Sequence, residues 1–237
     1  MHSKNGKGKD ERLTSQKPMF GLPQVRQKGS VMGFYSGIYK VFAAPVRWLY
    51  RVRVTDGEKM PESGGCIVCA NHTSLRDVFV LAASMHRQPR YMAKKELFRI
   101  PVLSQLIRAL GAFPVDRGSA DVGALKKAMA MIKGGEAVTI FPQGTRYPGV
   151  DPRTTEPKNG VGMIAYHTKA PVVPVYIKTK KRHVLPFRRT EIICGDPISY
   201  EKLGFESGGR EEYARASAVI FEKICELSDA AHADGEK

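Results

Sequence analysis

Residues 66–77 have the sequence CIVCANHTSLRD, an apolar run followed at once by a polar loop. The run Cys66–Ala70 is short, apolar and ended by polar residues, which predicts a buried strand. Thr73 or Ser74 then caps a helix predicted over about residues 75–86. A buried strand that passes directly into a helix is typical of α/β folds.

The same alternation continues along the chain. Further strands are predicted at 90–93, 112–115, 137–141, 172–177 and 191–194, and further helices at 96–110 (bent or restarted at Pro101), 121–133, 160–168 and 211–228. This order predicts an α/β fold with a mostly parallel sheet flanked by helices. Functional residues in such sheets gather in loops at the strand ends, here loops 71–77, 116–117 and 142–147.

A chain of 237 residues, 42% of them hydrophobic, fits a single domain with one large core. The composition predicts a basic flexible tail at 1–30, an amphipathic interfacial helical segment at 31–60, the main domain at 61–228 and a second flexible tail at 229–237. No hydrophobic signal-peptide region follows the basic start, and no run of about 18 uncharged apolar residues predicts a spanning helix.

Residues 31–51 have the periodicity of an amphipathic helix, bent at Pro45. Its apolar residues recur at spacings of three and four: Val31, Phe34, Tyr35, Ile38, Val41, Phe42, Val46 and Leu49. Such a helix packs on the protein's own core or lies in a lipid interface, and periodicity does not distinguish the two.

The formal net charge of +15 indicates a polyanionic partner. Charge alone favours nucleic acid and an anionic membrane surface equally. One basic block, residues 178–189, contains Lys178, Lys180, Lys181, Arg182, His183, Arg188 and Arg189 and no acidic residue. No zinc-finger, KH or RRM pattern supports a nucleic-acid partner.

The four cysteines are too few for a disulfide framework, which favours a reducing compartment. Cys66 and Cys69 have the spacing of half a metal motif, but no second pair follows. Their place in an apolar run predicts buried side chains and no metal site.

His72 and Asp77 are the first candidates for chemistry. Five residues apart, they would diverge by about 140° on one helix, so they meet only if His72 precedes the helix and Asp77 lies in its first turn. In that geometry Asp77 orients the imidazole, which becomes a general base. The alternative is structural, because Ser74-x-x-Asp77 also matches an acidic capping box.

The other two loops offer anion-binding groups. Arg117 follows the strand at 112–115, where it is placed to bind an anion or to form an ordinary surface turn. Gln143, Gly144, Thr145 and Arg146 combine backbone amides, a hydroxyl and a guanidinium, as a phosphate site does. Their spacing is not that of a P-loop.

Four segments together resemble the glycerolipid acyltransferase family, in particular its 1-acylglycerol-3-phosphate acyltransferases. The resemblance covers about residues 65–200. It rests on four blocks in order: NHTSLRD at 71–77, AKKELFRIP at 93–101 with GAFPVDR at 111–117, FPQGTR at 141–146, and APVVPV at 170–175. Where the family's third block usually has Glu, this chain has Gln143.

The resemblance implies a role for each block. His72 would be the general base and Asp77 its orienting partner, while Lys94, Arg117 and Arg146 would hold the acceptor's phosphate. The third block, Gln143, Gly144 and Thr145, would contact substrate. A wall of the acyl or substrate channel would come from Val172, Val173, Pro174 and Val175. No cofactor is implied.

The implied reaction moves a fatty acyl group from an acyl carrier protein or coenzyme A thioester to the free sn-2 hydroxyl of 1-acylglycerol-3-phosphate. Its product would be phosphatidic acid, for phospholipid biosynthesis, at the cytoplasmic face of the cell membrane. Because Gln143 lacks a charge, another lysolipid acceptor such as a lyso-ornithine lipid is an alternative. A non-enzymatic module that binds anions or lipids is a second alternative, and a nucleic-acid partner is not expected.

Overall fold

The structure is a computed structural model that describes residues 41–115 and 122–233. The predicted tail 1–30, residues 31–40 of the helix predicted at 31–51, the loop with Arg117 and residues 234–237 lie outside the described residues. None of the helices in the described part of the chain has both the length and the hydrophobicity that crossing a bilayer requires.

Seven strands form one sheet, with helices on both of its faces. The strands are β1 (Val52–Thr55), β2 (Cys66–Ala70), β3 (Arg90–Lys94), β4 (Ala112–Val115), β5 (Ala137–Ile140), β6 (Val172–Thr179) and β7 (Thr190–Cys194). The helices are α1 (helical over residues 41–49), α2 (Asp77–Ser84), α3 (Pro101–Ala109), α4 (Val122–Lys133), α5 (Gly160–Thr168) and α6 (Arg210–Ala233).

The strand order is β1-β7-β6-β2-β5-β3-β4. Strands β6, β2, β5, β3 and β4 are mutually parallel, whereas β7 pairs antiparallel with β6 and β1 pairs parallel with β7. The predicted α/β class and the mostly parallel sheet are therefore confirmed. Five strands end at one edge of the sheet, the carboxyl edge, where β7 and β1 begin.

The core has two parts, one on each face of the sheet. Helices α4, α5 and α6 cover one face, and their Ala128, Ile164 and Ile220 are completely buried. Helices α1 and α2, together with the end of α3, cover the other face. Burial on both faces explains why β2 is apolar throughout instead of alternating.

The segment predicted as helical at 31–60 contains a strand. Helical residues end at 49, Arg51 has a positive φ of 43°, and β1 follows in register with β7. Within the described part of α1, Phe42, Val46 and Leu49 pack against the core, whereas Val41, on the same predicted apolar face, is 77% exposed.

The bounds of helices α2 and α6 also differ from prediction. Helix α2 begins at Asp77 and ends at Ser84, because Met85 is extended. Helix α6 continues to Ala233, so residues 229–233 do not belong to a flexible tail. There Ala231 is buried and Asp229 pairs with Arg153, contacts that stabilise the last turns.

Candidate active site

The loops after β2 and β5 lie side by side at the carboxyl edge because β2 and β5 are neighbouring parallel strands. Asn71 fixes the end of β2. Its side-chain oxygen accepts from the backbone N–H of Ile177 at 2.7 Å, and its amide donates to the carbonyl of the same residue at 3.3 Å. These side-chain bonds tie the residue that follows β2 to strand β6, where the loop begins.

His72 and Asp77 meet as the sequence predicts. Nδ1 of His72 lies 2.8 Å from Oδ2 of Asp77, with His72 in the loop and Asp77 at the start of α2. The same oxygen accepts from the backbone amides of Thr73 at 2.6 Å and Ser74 at 2.8 Å. An oxygen that accepts these bonds is an acceptor for the ring as well, so Nδ1 carries a proton and Nε2 is the nitrogen that can take one.

Asp77 therefore has both roles considered from the sequence. It is fully buried, it holds the loop through the amides of Thr73 and Ser74, and it orients the imidazole. Helix α2 begins at Asp77, after Arg76, which makes no side-chain cap bond itself. The hydroxyl of Ser74 accepts from the backbone N–H of Arg76 at 3.2 Å, one residue before the helix begins.

The loop after β5 holds His72 from the other side. The ring of Phe141 stacks on the imidazole with centroids 3.9 Å apart and planes 14° from parallel. The backbone N–H of His72 donates to Oε1 of Gln143 at 3.0 Å, and its carbonyl accepts from the N–H of Tyr147 at 2.8 Å. His72 is thus fixed by contacts on its ring and on both backbone polar groups.

Gln143 takes a different position from the substrate contact that the resemblance implies. Its side chain is buried, accepts from His72 and donates from Nε2 to the hydroxyl of Thr155 at 2.8 Å. Both ends of the amide are therefore engaged within the protein. Gln143 links the loop after β2 to residues 151–155, and an uncharged side chain satisfies both partners.

Gly144 is required by the shape of the same loop. Its φ is +70°, and a Cβ there would lie 2.9 Å from the Lys158 side chain. The left-handed conformation is costly for other residues, and it turns the chain so that Thr145 and Arg146 face outward.

A cavity of about 640 Å³ lies beside the His72 loop. Its lining residues come from three loops: Thr73, Ser74, Leu75, Arg76, Thr145, Arg146, Pro148 and His183. Arg76 and Arg146 are cations, and the lining residues in the described part of the chain include no acid. The cavity therefore suits an anionic group.

Arg76 and His183 are functional candidates that the sequence reasoning did not select. Arg76 lies inside the first block, between the residues that carry the resemblance, and His183 lies in the basic block 178–189. The available signal was charge, but charge alone does not show which side chains converge on one cavity.

Other predicted residues lie elsewhere. Lys94 is exposed at the carboxyl end of β3, two strands from β2, and does not line the cavity just described. Arg117 is outside the described residues. The predicted channel wall is buried in the amino-terminal half of the interior strand β6: Val172, Val173, Pro174 and Val175. Core packing on both faces, rather than an open channel, surrounds Val172 and Val173.

Cys66 and Cys69 do not form a joint site. Cys66 packs in the core of one face of the sheet and Cys69 in the core of the other. Burial raises the pKa of both thiols, which keeps them protonated at neutral pH.

The arrangement can remove a proton from a bound hydroxyl next to a cationic cavity. A buried carboxylate stabilises the imidazolium that forms when Nε2 accepts the proton. Thr73 and Ser74, which line the cavity, directly follow His72 in the chain.

The sequence of this site matches a known family. Residues 51–178, more than half of the chain, match the family model described as Acyltransferase. The chain belongs to this acyltransferase family, and it is an enzyme of that class.

Two of the relatives have the same enzyme name. The chain is 29% identical over 181 residues to the 1-acyl-sn-glycerol-3-phosphate acyltransferase of Bacillus subtilis, a match that covers 75% of this chain and 88% of the relative. It is 32% identical over 146 residues to a chloroplastic enzyme of the same name from Brassica napus, covering 60% of this chain and only 42% of that longer relative.

The fold has a solved counterpart. The crystal structure of the 1-acyl-sn-glycerophosphate (LPA) acyltransferase PlsC from Thermotoga maritima matches with a TM-score of 0.62 and 28% identity. The match covers 86% of this chain and 84% of that one.

Proposed function

We propose that this enzyme transfers a fatty acyl group from an acyl thioester to the sn-2 hydroxyl of 1-acylglycerol-3-phosphate, forming phosphatidic acid. The observation that carries the proposal is the buried His72–Asp77 pair beside a cavity with Arg76 and Arg146 in its wall. The names of the relatives support the same acceptor.

In the proposed reaction, Nε2 of His72 takes the proton of the acceptor hydroxyl while the hydroxyl oxygen attacks the thioester carbonyl. The new ester C–O bond forms, the C–S bond breaks, and the proton passes to the departing thiolate. Asp77 stabilises the charged imidazole between these steps. The acceptor's phosphate lies among Arg76, Arg146 and His183, and placing two substrates together lowers the barrier further. The thiol belongs to an acyl carrier protein or to coenzyme A.

Lys94 and Arg117 remain proposed phosphate ligands, and Thr145 and Gly144 proposed contacts to the acceptor. An anionic membrane surface at the cytoplasmic face is the proposed setting, since both the acceptor and the product are lipids. The net charge of +15 supports binding to such a surface.

The test is a purified-enzyme assay of His72→Ala with both thioester donors. We expect the rate to fall by about 10²-fold or more, the contribution typical of a positioned base. His86→Ala is the matched control, because His86 is exposed and lies outside the site. An active, folded His72→Ala enzyme would overturn the mechanism.

An acceptor panel tests the phosphate. 1-Acylglycerol-3-phosphate should react faster than the same monoacylglycerol without phosphate and faster than a lyso-ornithine lipid. Equal rates on all three would remove the proposed headgroup role of Arg76 and Arg146.

A further inference from the structure

Thr155 is a half-buried residue that directly follows the short 3-10 helix Pro152–Thr154. Its hydroxyl accepts from Nε2 of Gln143 at 2.8 Å and donates to the carbonyl of Pro152 at 2.7 Å. Thr155 belongs to none of the four blocks that carry the resemblance, and it is not among the residues that line the cavity beside His72. Its connection to the candidate active site therefore runs through Gln143.

The hydrogen bonds of Gln143 have one consistent set of directions. The backbone N–H of His72 can only donate, so the Gln143 atom that lies 3.0 Å from it is the amide oxygen. The amide nitrogen then faces Thr155 and needs an acceptor, which the hydroxyl supplies while its own proton points to Pro152. Because Gln143 is only 2% exposed, little water reaches its amide to replace that acceptor.

The segment that carries Thr155 is fixed on both sides. Before it, the guanidinium of Arg153 pairs with the carboxylate of Asp229 on α6, with Nε 2.9 Å from Oδ2. After it, the backbone N–H of Lys158 donates to the carbonyl of Pro142 at 2.8 Å. The position of the Thr155 hydroxyl is therefore set by α6 and by the start of the loop after β5.

Loss of this acceptor would be felt at His72. An amide whose nitrogen has no partner turns or shifts toward another acceptor, and its oxygen then leaves the N–H of His72. A shift of the His72 backbone moves Nε2 relative to a bound hydroxyl. A misplacement of about 1 Å can lower the rate of a reaction by about 10²-fold, so a small shift is enough to slow proton transfer.

We propose that Thr155 is a positioning residue for acyl transfer, because it fixes the orientation of the Gln143 amide and thereby the place of His72. Thr155 acts through Gln143 and not by contact with substrate. This proposal rests on the proposed role of His72 as the base, and it extends the site to a residue of a different segment.

Thr155→Val in the full-length enzyme is the first test, because it keeps the shape of the side chain and removes the hydroxyl. We expect kcat to fall by about fivefold, with the KM values for thioester and acceptor nearly unchanged. Thr155→Ser keeps the hydroxyl and should restore kcat. Thr154→Val is the matched control, since the Thr154 hydroxyl donates to the carbonyl of Asp151 at 2.9 Å instead of contacting Gln143. Equal kcat in Thr155→Val and Thr154→Val, or no rescue by Thr155→Ser, would overturn the proposal.

A double-mutant cycle tests whether Thr155 acts through Gln143. If it does, adding Thr155→Val to Gln143→Ala should lower kcat no further, since the amide that it orients is already absent. Thermal unfolding of all four proteins shows whether each is folded at the assay temperature. A further fivefold fall in kcat of the folded double variant would show an independent effect of Thr155 and overturn the proposal.

Hydrogen exchange at the backbone N–H of His72 tests the link without an activity assay. We expect exchange about tenfold faster in Thr155→Val and unchanged in Thr154→Val. Faster exchange with normal kcat would show that Thr155 holds the loop without affecting the reaction, which overturns the proposal. An active His72→Ala enzyme would overturn the proposed function and this proposal with it. An inactive His72→Ala enzyme combined with normal kinetics of Thr155→Val would overturn this proposal alone.

Discussion

The loops after β2 and β5 meet at one sheet edge, but the His72–Asp77 pair of the first is buried, whereas the two cavity-lining residues Thr145 and Arg146 of the second are exposed. In the first, Asp77 is fully buried and His72 nearly so, and both are bound by several hydrogen bonds. In the second, Thr145 and Arg146 are exposed. Proton transfer requires fixed distances, whereas an anion in a cationic cavity tolerates mobile side chains. The fold therefore holds the proposed base in one position, whereas the side chains proposed to bind the headgroup are exposed to solvent.

The largest expected effect comes from Asp77→Asn. The Asn oxygen can still accept from the backbone amides of Thr73 and Ser74, so the loop should stay folded, but the charge that stabilises the imidazolium is lost. We expect kcat to fall by about 10²-fold or more with a small change in stability. Thermal unfolding and steady-state kinetics measure the two effects.

Asp77→Ala provides the contrast, because it also leaves the two amides without an acceptor. It should cost about 2–3 kcal/mol of stability in addition to activity. If Asp77→Asn kept normal kcat, Asp77 would only hold the loop, and the two loops would not differ in the proposed way.

A smaller effect is expected from Gln143→Ala, which removes the link between the loops. The N–H of His72 loses its acceptor, so we expect about 1–3 kcal/mol of destabilisation and about a tenfold lower kcat. Denaturant unfolding and kinetics are the measurements.

Gln143→Glu is the matched variant. A carboxylate can accept from His72, and the hydroxyl of Thr155 can donate to it in place of its present bond to the carbonyl of Pro152, so most activity should remain. A Gln143→Glu enzyme as impaired as Gln143→Ala would show that the uncharged amide itself is needed.

The smallest effect is expected from Arg76→Ala. Removing one exposed cation from the cavity should raise the KM for the phosphate acceptor by about tenfold, leave kcat nearly unchanged, and shift stability by less than about 0.5 kcal/mol. Arg99→Ala, at an exposed position outside the cavity lining, is the control. The same KM change on an acceptor without phosphate would argue against a headgroup contact.

The sequence predicts those structural features that depend on residues close together in the chain. The strand Cys66–Ala70 and the meeting of His72 with Asp77 follow from local pattern and spacing, and both are confirmed. Strand β1 was not predicted because its partner β7 lies near the other end of the chain. Pairing across such a separation leaves no periodic signal in a four-residue segment.

Contacts between loops were likewise not predictable from the sequence. Gln143 was expected to contact substrate, yet its partners, His72 and Thr155, belong to other segments. Likewise, Arg76 and His183 are brought to one cavity by the order of the strands, which charge patterns do not specify.

The loop after β5 contacts His72 through Phe141, Gln143 and Tyr147, and these contacts have a consequence for protein engineering. Replacing the whole loop after β5 with that of another acyltransferase would change three contacts of the base together with the substrate pocket. Variation restricted to Thr145, Arg146 and Pro148 would leave those contacts in place. Libraries aimed at new lysolipid acceptors should therefore diversify the outward positions and keep the inward ones constant.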